Sequence, residues 1–279
     1  AIDASNLTAE EKDTLKQTVA GEVTKAKAAI DAATKDADVK TAQTNGEKAI
    51  NAVEIPASVS KTDAINAINA ALADKKAAIN GTNLTDEEKT ALINKAQKLA
   101  DDAIADINKA ATNEAVNTAK ENGVETINNV NVPTTSATKD AAKNAIDQAA
   151  KAKNDAIDAS NLTTEEKADL KQTVAGEVNK AKAAIDAATK DADVKTAQTS
   201  GEQAINNINV PATSATKDAA KNAIDQAAKA KNDAIDASNL TTEEKADLKQ
   251  TVAGEVNKAK SNIDAATKDA DVKTAQTAG

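Results

Sequence analysis

The chain repeats itself with a long and nearly constant period. Leu7, Leu84, Leu162 and Leu240 lie 77, 78 and 78 positions apart, and Pro56, Pro133 and Pro211 lie 77 and 78 apart. Gly46, Gly123, Gly201 and Gly279 keep the same phase. Residues 133–201 and 211–279 differ at only four of 69 positions. A fixed period means one structural unit used several times, and a period this long lets each unit be a small domain. Cutting at the prolines gives a truncated unit 1–55 (the end of a first helix, then a second and a third), units 56–132 and 133–210, and unit 211–279, which lacks its last residues.

Within unit 133–210 the apolar spacing predicts three helices and no strand. The first runs from about Ser136 to Ala159, with Ala142, Ile146, Ala149, Lys153 and Ile157 on one stripe. The second covers Thr164 to Ala188, with Leu170, Val174, Val178, Ala181, Ile185 and Ala188 three or four residues apart. The third runs from Ala192 to Asn209 along Val194, Ala197, Gly201, Ile205 and Ile208. Thr163 and Glu166 have the spacing of a capping box, repeated at Thr8/Glu11, Thr85/Glu88 and Thr241/Glu244. Asp191 reads as the N-cap of the third helix, with Asp36, Asn113 and Asp269 in the matching places. Between units, Val132-Pro133 and Val210-Pro211 are expected to end one helix and hold the linker extended.

The fold class expected is all-α: a tandem array of three-helix bundles. Three helices joined by short turns leave the two termini at opposite ends of a bundle. Such units join head to tail into an elongated, monomeric rod, whose partners within the chain are the neighbouring repeats.

Composition narrows the function. The chain has no Cys, His, Met, Trp, Tyr or Phe, and all 35 of its cations are Lys. Without imidazole or thiolate there is no ordinary base, nucleophile or zinc, haem or iron–sulfur ligand set. Lacking Arg and aromatic side chains, and with a net charge of −9, it is a poor binder of nucleic acid. No apolar run reaches the roughly 18–20 residues that span a bilayer. Of the apolar residues, 67 are Ala, which leaves either an Ala-rich helical assembly or a disordered chain. The absence of an initiator Met, a signal peptide and a sorting tail reads as a fragment of something longer.

Several local features admit two readings. Asn-Leu-Thr at Asn6, Asn83, Asn161 and Asn239 has the form of a glycosylation acceptor, but a turn leading into the capping box already accounts for it. The pairs Asp36/Asp38, Asp191/Asp193 and Asp269/Asp271 lack the loop of a calcium site and read as acids favoured in a first helical turn. Gly46, Gly123 and Gly201 are either flexible joints or points of close helix approach, and their place on the apolar stripe favours close approach. Gly176 is replaced by Lys98 in the second unit and reads as exposed. No catalytic constellation is found, and no residue is assigned to a catalytic, cofactor-binding or metal site.

The segments Ile157–Lys171 (IDASNLTTEEKADLK), Ala181–Val194 (AKAAIDAATKDADV) and Gly201–Ile208 (GEQAINNI) together resemble a known family. They are similar to the domain-of-unknown-function 1542 (DUF1542) repeats of cell-wall-anchored surface proteins of Gram-positive bacteria, copy after copy along the chain. Unit 56–132 departs most, with Asn80-Gly81 for Asp-Ala and one residue fewer before its second helix. The resemblance implies an extracellular chain, attached to peptidoglycan through a region outside this sequence, and it supplies no catalytic residues. The leading expectation is a structural stalk that projects a distal adhesive domain from the cell wall. The alternative is a multivalent binding array for host plasma or matrix proteins, in which repetition supplies avidity. Against that alternative, Trp, Tyr and Arg, the residues enriched at binding hot spots, are all missing.

Overall fold

A computed structural model describes all residues, 1–279, and its regular structure is helix alone, with no strand. The helices are α1 (Ala9–Asp31), α2 (Asp36–Asn51), α3 (Val59–Asn80), α4 (Asp86–Lys109), α5 (Asn113–Asn128), α6 (Ala137–Asp158), α7 (Thr164–Ala187), α8 (Asp191–Asn206), α9 (Ala215–Asp236), α10 (Thr242–Ala265) and α11 (Asp269–Ala278). They fall into two compact units, Ala1–Thr135 and Ser136–Gly279. In the first, α1 and α2 form a hairpin and α3, α4 and α5 pack mutually as a three-helix bundle. In the second, α6, α7 and α8 form one bundle and α9, α10 and α11 another.

Each bundle is held by a narrow aliphatic core on the predicted stripes. In the α6–α8 bundle, Ile146, Ile157, Ile185 and Ile205 are wholly buried, with Val174 and Val194 beside them. Ile68, Ile107 and Ile127 do the same in the α3–α5 bundle. The four capping boxes form at Thr8, Thr85, Thr163 and Thr241. The first helix of each complete bundle is capped by a serine, at Ser58, Ser136 and Ser214. Lys153 sits on the apolar stripe of α6 because its ammonium reaches past the end of α8, donating to the carbonyls of Asn206 at 2.9 Å and Ile208 at 2.8 Å. Lys75 closes the end of α5 in the same way, on Asn128 and Val130. A cation there meets the negative end of the helix dipole.

Two expectations about helix ends are corrected. The third helix of a repeat stops at Asn128 or Asn206, well before Pro133 or Pro211, so the proline does not end it. Asp36, Asn113, Asp191 and Asp269 are the first residues inside their helices; the caps are Lys35, Thr112, Lys190 and Lys268. Thr112 caps with its hydroxyl, whereas the three lysines make no side-chain cap. The one residue by which the second unit is shorter lies in the linker. Pro56-Ala57-Ser58 stands where the later units have Pro133-Thr134-Thr135-Ser136 and Pro211-Ala212-Thr213-Ser214.

Gly46, Gly123 and Gly201 mark where the second and third helices of a repeat touch. A Cβ built on Gly123 would lie 2.5 Å from Ala103 Cβ and 2.6 Å from Ile68 Cδ1; on Gly46 it would lie 2.5 Å from Ala26 Cβ. Gly201 meets Ala181 and Ile146 in the same manner. Gly176, by contrast, faces open space. In thermal unfolding followed by helical circular dichroism, Gly201→Ala is expected to lower stability. Overpacking costs roughly 1–3 kcal/mol, which exceeds the ~1 kcal/mol gained in helix propensity. Gly176→Ala gains that propensity without a clash and raises the midpoint. A Gly201→Ala chain that melts at or above the parent temperature would refute close contact at that position.

Candidate functional site at the joint between repeats

The Asn-Leu-Thr-x-Glu-Glu turn that begins the second helix of one repeat meets the following repeat. This joint is seen twice, once inside each compact unit. At the first, Glu11 closes its own capping box, its Oε2 accepting the Thr8 amide at 3.0 Å. Its Oε1 accepts the amide of Ser60, the second residue of α3, also at 3.0 Å. At the second joint, Glu166 Oε2 accepts from Thr163 N at 2.9 Å and Oε1 from Thr216 N of α9 at 3.1 Å. One carboxylate therefore satisfies orphan amides at the starts of two helices, each the positive end of a helix dipole.

The preceding glutamate serves the third helix of the next repeat. Glu10 Oε2 accepts the Asn113 amide and Glu165 Oε2 the Asp269 amide, both at 3.1 Å. In return, Ala9 N donates to Ala111 O at 2.8 Å and Thr164 N to Thr267 O at 2.9 Å. The amide of Asp269, the first residue of α11, is thus met by a carboxylate from the repeat before.

Each complete bundle buries a lysine in the first turn of its first helix. Lys61, Lys139 and Lys217 are all at least nine-tenths buried, and each ammonium donates to a carbonyl in the last turn of its repeat's second helix. The acceptors are Asn108 at 2.8 Å, Asp186 at 2.9 Å and Asp264 at 2.9 Å. Lys61 also donates to Asn6 Oδ1 of the preceding repeat at 3.0 Å. Burial lowers the Lys61 pKa, against the attraction of Glu11 and with the repulsion of Lys12. Glu11 moves below its ordinary value. Burial pushes it up, but bonds from the Ser58 hydroxyl and from the Thr8 and Ser60 amides outweigh that. Glu166 behaves alike, with burial opposed by Thr163, Ser214 and Thr216.

Sequence reading found the capping boxes but not this second use of them. A local motif gives no sign of a partner amide about fifty residues away. The buried lysines had a legible signal: Lys139, Ala142 and Ile146 are spaced by three and four, which extends the stripe back to Lys139. Asn6 and Asn161 stand in the turn with their side chains at the surface, while the Leu and Thr that follow are buried at the joint. Asp36/Asp38, Asp191/Asp193 and Asp269/Asp271 occupy the first turns of α2, α8 and α11. The joint hydroxyls of Thr8, Thr163, Ser58 and Ser214 are spent on helix caps, so the arrangement binds helix ends and protons and presents no activated nucleophile.

Leu162 measures the burial that a joint provides. It is 5% exposed, whereas Leu240, in the same local sequence but with no repeat seated on it, is 40% exposed. Leu162→Ala is expected to cost about 2–4 kcal/mol, and Leu240→Ala under about 1 kcal/mol. Urea unfolding of the two variants would check this, and equal losses would show that Leu162 is buried by its own bundle alone.

The model of a single family, Domain of Unknown Function (DUF1542), matches four consecutive segments, residues 1–58, 60–135, 138–213 and 216–279. No curated protein and no solved structure matches the chain significantly. The matched segments cover almost the whole chain, each holding one Leu-Thr-x-x-Glu turn of the kind that forms the joints: this chain belongs to the DUF1542 family.

Proposed function

We propose that this chain is a spacer: a series of three-helix repeats that holds a distal adhesive domain away from the wall of a Gram-positive bacterium, outside the cell. The observation that carries the reading is the joint. Each of the two joints ties the start of one repeat's second helix to two helix starts of the next, through side chains rather than the linker alone. A bundle of three antiparallel helices enters at one end and leaves at the other, so bonded joints of this kind extend an array instead of folding it back. Family membership supports the surface location, and the absence of Cys suits a wall protein that relies on no disulfide. The role is non-enzymatic; a chain with no His or Cys and with its buried hydroxyls engaged in caps has little to offer catalysis.

Small-angle X-ray scattering of residues 1–279 in physiological salt tests the proposal. A stiff rod of three and a half such repeats has a radius of gyration of about 40 Å at 1.5 Å of rise per helical residue. A compact globule of the same length gives about 19 Å. A value near the upper figure with a rod-like cross-section is the expected result, and one near the lower figure removes the spacer.

A further inference from the structure

We propose that each joint is a carboxylate latch that acid opens while the bundles on either side stay folded. The geometry of Glu11 and Glu166 carries this independently of the spacer reading. A carboxylate offers lone pairs on both oxygens, and at each joint both are used, one on its own helix and one on the next repeat. Once protonated, the group keeps one good acceptor and turns the other oxygen into a donor, facing a backbone N–H that is also a donor. One of the two helix starts must then be released.

The bundle cores hold no comparable group, and Glu244, lowered by Thr241 alone, closes only its own helix start. The buried polar residues are Thr, Ser and Lys only, so no carboxylate lies in a bundle interior to be neutralised. Surface Lys–Asp pairs, such as Lys182–Asp147 and Lys260–Asp225, are exposed and each contributes little. Around Glu166, the charged groups on the facing elements are Lys217, Asp218 and Lys221 at the start of α9, and Asp264, Lys268 and Asp269 around the turn into α11. Lys217 is held by the Asp264 carbonyl, Lys221 pairs with the Asp264 carboxylate, and Asp218 accepts from the Thr213 hydroxyl. Around Glu11 the facing cation is Lys61, which Lys12, on the same helix as Glu11, repels. Lys61 stays charged in acid and keeps its carbonyl at Asn108, so the bundle end remains closed.

The sign follows from the folded-state shift. Glu11 and Glu166 lie below the ordinary glutamate value of 4.5, so the latch contributes fully above that value and is lost as pH falls through the depressed folded one. The test uses the whole chain and the first joint, whose sequence occurs once. Amide hydrogen exchange, corrected for the intrinsic effect of pH, is followed at Ser60 and at the buried core positions Ile68 and Ile107, with helical circular dichroism in parallel. Between neutral pH and about pH 3.5, protection at Ser60 is expected to fall severalfold, up to about tenfold, with core protection and helicity held. Glu11→Gln, which has one acceptor oxygen for two amides, is expected to show the same loss at neutral pH and little further response to acid. Glu54→Gln, an exposed linker substitution, is expected to leave Ser60 unchanged. Protection at Ser60 that survives until the helices melt, or that falls in step with Ile107, overturns the latch. So does a Glu11→Gln chain that behaves like the parent.

Discussion

With no aromatic side chain and with Ala supplying most of its apolar residues, this chain gains burial chiefly by bringing helix backbones close together. The Gly–Ala contacts between the second and third helices set that distance, and the isoleucines fill what space remains. Gly123 touches both Ala103 and Ile68, and so brings all three helices of its bundle to one point. A thin core of this kind depends on short gaps, because dispersion falls away quickly once atoms separate. The recurring glycine is therefore part of how an Ala-rich helix acquires an interior at all, at the cost of some helix propensity.

Helix ends supply the second half of the design. A small bundle has many of them for its size, and each leaves unpaired backbone groups. Here the third-helix C-termini are met by Lys75 and Lys153, the second-helix C-termini by Lys61, Lys139 and Lys217, and the N-termini by Ser, Thr and Glu. The charged residues that look like an undifferentiated solvated face thus include several with fixed backbone partners. What joins one repeat to the next is the same chemistry carried across a boundary, with Glu in place of a local hydroxyl.

How much of this the sequence discloses depends on range. The helices and their starts are legible at Thr163/Glu166 and along the Val174–Ile185 stripe because capping and periodicity are local rules. Asp191 misleads by a single residue, since a carboxylate at the start of a helix looks the same whether it caps or merely sits in the first turn. Lys139 follows the stripe spacing, but a lysine is ordinarily assigned to solvent, and only the carbonyl of Asp186 shows where its charge goes. The second role of Glu166 is not legible, because its partner amide at Thr216 belongs to a different copy of the repeat.

The linker between repeats is the part of the joint that varies. The first joint spans Pro56-Ala57-Ser58 and the second Pro211-Ala212-Thr213-Ser214, yet the glutamate-to-amide bonds are the same in both. The acceptor glutamate recurs in the sequence at Glu11, Glu88, Glu166 and Glu244, and the donor position, two residues after the capping serine, at Ser60, Thr138 and Thr216. Because each copy carries matching halves, unequal recombination between the near-identical stretches 133–201 and 211–279 would add or remove a whole repeat and still rejoin residues that already fit. The length of such a protein can drift from one lineage to another without any new contact having to evolve.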